Sequence, residues 1–106
     1  MIPEHPGDPL TAVRRRIDAL DGELLGLLAR RQDLVKQAGL LKPSGNARAV
    51  AAPERVTEVI NARRASAREC GVDPDVAEAI WQAMIQAFIQ FEMRVNQTPL
   101  EDELRP

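Results

Sequence analysis

From Leu10 onward the chain repeats apolar residues at helical spacing. Leu10, Val13, Ile17, Leu20, Leu24, Leu27, position 31, Leu34, Ala38 and Leu41 follow one another at intervals of three and four. Such a seam predicts one amphipathic helix lasting about four heptads. Asp8 or Thr11 suits its N-cap, and Pro43 stops it after Lys42. At 1.5 Å per residue the helix spans about 50 Å. That is too long to pack against itself within a chain of 106 residues, so the pattern predicts a partner chain.

Two further helices follow. The stretch PSGNARAVAA, 43–52, reads as a loop, with Pro43, Ser44, Gly45 and Asn46 as turn chemistry. PERVTEVINARRASAREC, 53–70, predicts a second helix. Pro53 suits its first position and Glu54 its positive end, and Val56, Val59 and Ile60 form its apolar stripe. Gly71 ends it as a left-handed residue. DPDVAEAIWQAMIQAFIQFEMRV, 73–95, predicts a third helix capped by Asp73. Its wide apolar face holds Val76, Ile80, Ala83, Met84, Ala87, Phe88, Phe91 and Val95. No strand-like alternation occurs. The expected architecture is all-α: three helices, long, medium and long. Residues 1–9 are expected to form a disordered tail, 10–96 the helical domain and 97–106 a flexible C-terminal tail.

Composition narrows the chemistry. A net charge of −2 leaves no broad basic face for a phosphate backbone. The only aromatics are Trp81, Phe88 and Phe91, too few for a base-stacking platform. The single cysteine, Cys70, cannot form an intrachain disulfide. His5 and Cys70 are the only histidine and cysteine, which does not make a zinc site. The start MIPEHPGDPL lacks the basic end and apolar run of a signal peptide. No apolar run approaches the roughly 20 residues of a membrane span. A cytoplasmic protein without metal or cofactor is expected.

Several charges fall in apolar places. Arg31 interrupts the first seam, and Lys42 lies 11 residues on, almost three turns, so both point to nearly the same side. Their Cα atoms would stand about 16 Å apart. Val35 and Ala38 lie between them and make an apolar floor for a small anion. An arginine on a seam also snorkels, laying its stem on the core while its charge reaches water. A lysine at a helix C-terminus favours the helix dipole with no further role. Arg14 lies 17 residues before Arg31, about 25 Å away and roughly 100° around the helix. It reaches a shared pocket only from a partner helix running antiparallel. The triplet Arg14, Arg15 and Arg16 also reads as a solvated face. On the third helix Trp81, Ile85, Phe88 and Glu92 share one face at spacings of 4, 3 and 4. Burial there would favour a protonated Glu92, which donates a hydrogen bond where a carboxylate only accepts. The alternative is an edge glutamate paired with Arg94 or an arginine of another helix. Arg55 lies in the first turn of helix two, where backbone N–H groups favour an anion.

These groups offer up to four cations and one neutral acid, with no evident nucleophile, histidine base or metal cluster. Such a site suits a small dianion whose reaction needs shaping and charge stabilisation, such as a pericyclic rearrangement. The pattern resembles the all-α chorismate mutases, type II fold. The matching stretches are LTAVRRRIDALDGELLGLLARRQDLVKQAGLLK, PERV and GVDPDVAEAIWQAMIQAFIQFE, together about residues 10–95. The resemblance implies an intertwined homodimer with two shared active sites and no cofactor. It implies that Arg14 comes from the partner subunit and binds one substrate carboxylate, while Arg31 binds the other. Lys42 would contact a carboxylate and the enolpyruvyl ether oxygen, and Arg55 would help close the pocket. Glu92 stands where the family usually has glutamine donating to that ether oxygen, and must be protonated to serve. Val35 and Phe88 fall among the apolar lining.

The chain departs from the mutases at two positions. Val56 stands where they usually carry an acid, and Ala52 where they often carry an aspartate. Those acids contact the C4 hydroxyl of chorismate. APERV resembles instead the isochorismate–pyruvate lyases, which make salicylate, and the 4-amino-4-deoxychorismate mutases also lack the first acid. The expected activity is chorismate to prephenate; the alternatives are the lyase reaction, the 4-amino substrate, or a non-catalytic helical dimer.

Overall fold

A computed structural model describes residues 7–97 of the chain. His5 and the expected tail segments 1–6 and 98–106 lie outside the described residues. Four helices follow in order: α1 (Pro9–Leu41), α2 (Ala47–Ala51), α3 (Pro53–Cys70) and α4 (Pro74–Gln97). Among the described residues there is no strand, and no helix is long and apolar enough to cross a membrane.

The three expected helices are present, and their ends follow the sequence signals. Asp8 caps α1: its carboxylate accepts from the Leu10 N–H at 3.1 Å and from the Thr11 hydroxyl at 3.3 Å. Pro9 therefore belongs to the helix rather than to the tail. Asp73 caps α4, accepting from the Asp75 N–H at 2.8 Å. Gly71 ends α3 at φ 81°, in the left-handed region where a Cβ is penalised.

Two expectations are corrected. The stretch 43–52 is not loop throughout, because Ala47–Ala51 wind into the short helix α2. Asn46 starts it, its side chain accepting from the Ala49 N–H at 2.9 Å. Ala52 then ends α2 and begins α3 at φ 39° and ψ 62°. The second correction concerns α4, which continues through Asn96 to Gln97. Its wide apolar face also divides. Ala77 and Ile85 are buried and Trp81, Met84, Phe88 and Phe91 half-buried, whereas Val76, Ile80, Ala83 and Ala87 are exposed.

The fold divides between Asp33 and Leu34 into two compact units. In the first, the α1 seam is open: Leu10, Val13, Ile17, Leu20, Leu24 and Leu27 are each 50–56% exposed. So many large apolar side chains in one row are an unusual load for a lone soluble chain. In the second unit, α3 and α4 pack as an antiparallel pair joined by the turn at Gly71–Asp73. Arg64 of α3 clasps the start of α4. Its Nη1 donates to Asp75 Oδ1 at 3.0 Å, Glu78 Oε1 at 3.3 Å and the Pro74 carbonyl at 3.4 Å. The Asp75 hydrogen bond is the main reason the guanidinium holds its proton more tightly than usual. Helix α2 packs on α4 through the buried Val50.

Gly71→Ala places a Cβ in the left-handed region and should destabilise the fold by about 1 kcal/mol. Thermal denaturation followed by circular dichroism should show a melting temperature lower by about 4–8 °C.

Candidate functional site

The end of α1 and the last turns of α4 meet in the second unit, and local chemistry explains why. Gly39 is buried against α4. A Cβ there would stand 2.9 Å from Glu92 Cγ and 3.4 Å from the Glu92 carbonyl. Only a residue without a side chain lets the two backbones approach so closely. Pro43 halts α1 immediately after Lys42, so the lysine leaves the helix where α4 passes.

There Lys42 Nζ donates to Glu92 Oε2 at 2.7 Å, joining residues 50 positions apart. The side chains are 28% and 9% exposed. A short charge-assisted bond compensates part of the cost of shielding both groups from water. Of the two sequence readings of Glu92, an inward acid or an edge glutamate paired with an arginine, its burial fits the first, and the half-buried Lys42 is its partner. In this resting arrangement Glu92 accepts a hydrogen bond rather than donating one. The stripe Trp81, Ile85, Phe88 and Glu92 does face inward as its spacing predicts. Phe88 packs edge-on against Phe91, with ring centroids 6.2 Å apart. The Arg63 guanidinium stands 5.9 Å from the centroid of the half-buried Trp81 ring.

Asn96 was not foreseen as part of this cluster. It continues the same stripe one turn beyond Glu92 and is 4% exposed. Its Nδ2 donates to the carbonyls of Gly39, Lys42 and Pro43 at 2.9, 3.3 and 3.1 Å. The signal that finds it is helical spacing: a step of four from Glu92 lands on Asn96, a polar residue beside the same apolar face.

The remaining candidates are placed separately. Val35 is half-buried on the part of α1 that belongs to this unit. Arg55 is exposed in the first turn of α3, and among the described residues no hydrogen bond or ion pair ties it to Lys42 or Glu92. Val56 is half-buried and lines a shallow cleft of about 470 Å³ with Thr57, Ile60, Asn61, Gln82 and Gln86. In the first unit, Arg14 is exposed and Arg31 half-buried, with its Nη1 shielded from water; both are engaged by other groups. Among the described residues no cluster of His, Cys, Asp and Glu is arranged to hold a metal ion.

Comparison with known proteins gives these residues a context. A T-protein of Enterobacter agglomerans is 36% identical over 97 residues, 92% of this chain and 26% of that protein. A T-protein of Haemophilus influenzae is 37% identical over 73 residues, 69% of this chain and 19% of that protein. The chain thus spans about a quarter or less of these two relatives. An isochorismate pyruvate lyase of Pseudomonas aeruginosa is 33% identical over 85 residues, 80% of this chain and 82% of that protein. The profile of the family described as chorismate mutase type II matches residues 13–93, which spans α1 from its second turn, all of α2 and α3, and most of α4. The chain belongs to the chorismate mutase type II family.

Proposed function

We propose that the chain is a chorismate mutase that rearranges chorismate to prephenate without covalent or cofactor chemistry. The observation that carries this reading is the Lys42–Glu92 pair, a cation and an acid brought to 2.7 Å on an inner wall. In the rearrangement the ether C–O bond breaks as a C–C bond forms, and negative charge builds on the ether oxygen. Lys42 turns from Glu92 to that oxygen and to a substrate carboxylate. Glu92, once protonated, donates to the same oxygen. Donors set in place before the reaction stabilise this charge more in the transition state than in the ground state.

The other roles follow from position in the family. Arg31 takes one carboxylate and Arg14 of a partner chain the other. Arg55 helps close the pocket, while Val35, Val56 and Phe88 give it apolar walls. The exposed seam of α1, Leu10 through Leu27, supports a homodimer in which that seam is covered by a second copy.

A second reading, isochorismate–pyruvate lyase, is favoured by one feature. Val56 and Ala52 replace the acids that mutases direct at the C4 hydroxyl, and the relative bearing the lyase name covers most of both chains.

Incubating the purified chain with chorismate, isochorismate and 4-amino-4-deoxychorismate in turn distinguishes these readings. Prephenate is the expected product. Salicylate with pyruvate would transfer the assignment to the lyase, and inertness toward all three substrates would leave a non-catalytic helical dimer.

With the substrate that is turned over, Lys42→Ala should lower kcat on the order of 10³-fold while the circular dichroism spectrum stays helical. Wild-type turnover would exclude the lysine from the reaction. Glu92→Gln, a hydrogen-bond donor of nearly the same shape, should retain turnover, whereas Glu92→Ala, which donates nothing, should lose it. Sedimentation equilibrium should give twice the chain mass; a monomer at micromolar concentration would contradict the shared site.

A further inference from the structure

We propose that Asn96 is a positioning residue: it fixes the end of α1 that carries Lys42, and so sets where the Lys42 ammonium stands. The proposal rests on the reading of Lys42 as the cation of the reacting site.

The last four carbonyls of a helix have no partner within that helix. At the end of α1 the partner comes from α4. Asn96 Nδ2 donates to the carbonyls of Gly39, Lys42 and Pro43 at 2.9, 3.3 and 3.1 Å. An amide nitrogen has two hydrogens, so three acceptors mean that one hydrogen is shared. The same three acceptors fix which way the amide points, because its oxygen would be repelled by carbonyls. The Ser44 hydroxyl completes the tie by donating to the Asn96 carbonyl at 3.1 Å. One buried residue thus holds the main chain before, at and after Lys42.

The lysine needs such a hold. Its ammonium rides on a flexible four-carbon stem, so its position is only as definite as the backbone beneath it. Glu92 grips the tip at 2.7 Å, but a ligand that draws the ammonium to itself breaks that grip. From then on Asn96, one turn along the same face of α4, is the restraint at the base. Misplacement of a reacting group by about 1 Å costs about 100-fold in rate. An asparagine that only filled space would affect the melting temperature and leave turnover per folded molecule unchanged.

Asn96→Leu keeps the approximate shape and removes both donors. The chain has two lysines, Lys36 and Lys42, so lysine labelled with ¹³C at Cε gives two resonances. The exposed Lys36 serves as the internal reference. In the parent the Lys42 signal should stand apart from that of Lys36. In Asn96→Leu it should move toward the Lys36 position, with kcat lower by about 10- to 100-fold and a smaller change in KM. An unmoved Lys42 signal in the folded variant would overturn the proposal. A moved signal with unchanged kcat would uphold the tether and overturn the assignment of Lys42 to the reaction. If Asn96→Leu does not fold, Asn96→Ser, which keeps one donor, is read the same way and should show a smaller displacement.

Discussion

The seating of the C-terminal end of α1 on α4 is the contact on which the candidate site depends. It needs three things at once. Gly39 must lack a side chain, because a Cβ there would stand 2.9 Å from Glu92 Cγ, closer than van der Waals contact allows. The carbonyls that the helix abandons at its end must find donors, and Asn96 supplies them. The ammonium of Lys42 must find an acceptor where little water reaches, and Glu92 supplies it. Each answers a cost created by the others: close approach excludes water, and exclusion makes an unmet carbonyl or ammonium expensive.

That contact also brings Lys42 and Glu92 together. A half-shielded ion pair returns little net free energy, since desolvation offsets most of its attraction. What it contributes is definition. The two groups face each other as a nearly neutral unit, which holds the lysine tip at one place on α4. In the first unit the same logic applies to apolar surface, because the open row of apolar side chains on α1 costs free energy wherever water faces it.

Helical periodicity made the three long helices legible, because caps and breakers agreed with it: Asp8, Pro43, Pro53, Gly71 and Asp73 all act where the sequence puts them. It also turned Glu92 inward by its spacing from Trp81, Ile85 and Phe88. Helix α2 escaped notice because five residues are too few to show a period, and ARAVA begins after a cluster of turn formers. The partner of Glu92 was equally out of reach. Which cation meets an acid across 50 residues depends on how two helices approach, and that was decided by Gly39, a glycine inside a helical pattern with no evident reason to be there. Asn96 is hard to read for a related reason: a polar residue near a helix end gives no sign in the sequence that it is buried.

Ala52 carries a consequence for which residues the junction of α2 and α3 can accept. It is the single residue shared by the end of α2 and the start of α3, and it holds φ 39°. Besides glycine, asparagine and aspartate tolerate that conformation best, and β-branched residues the least. An aspartate at this junction would therefore enter a backbone already shaped to receive it, with no rearrangement of the two helices.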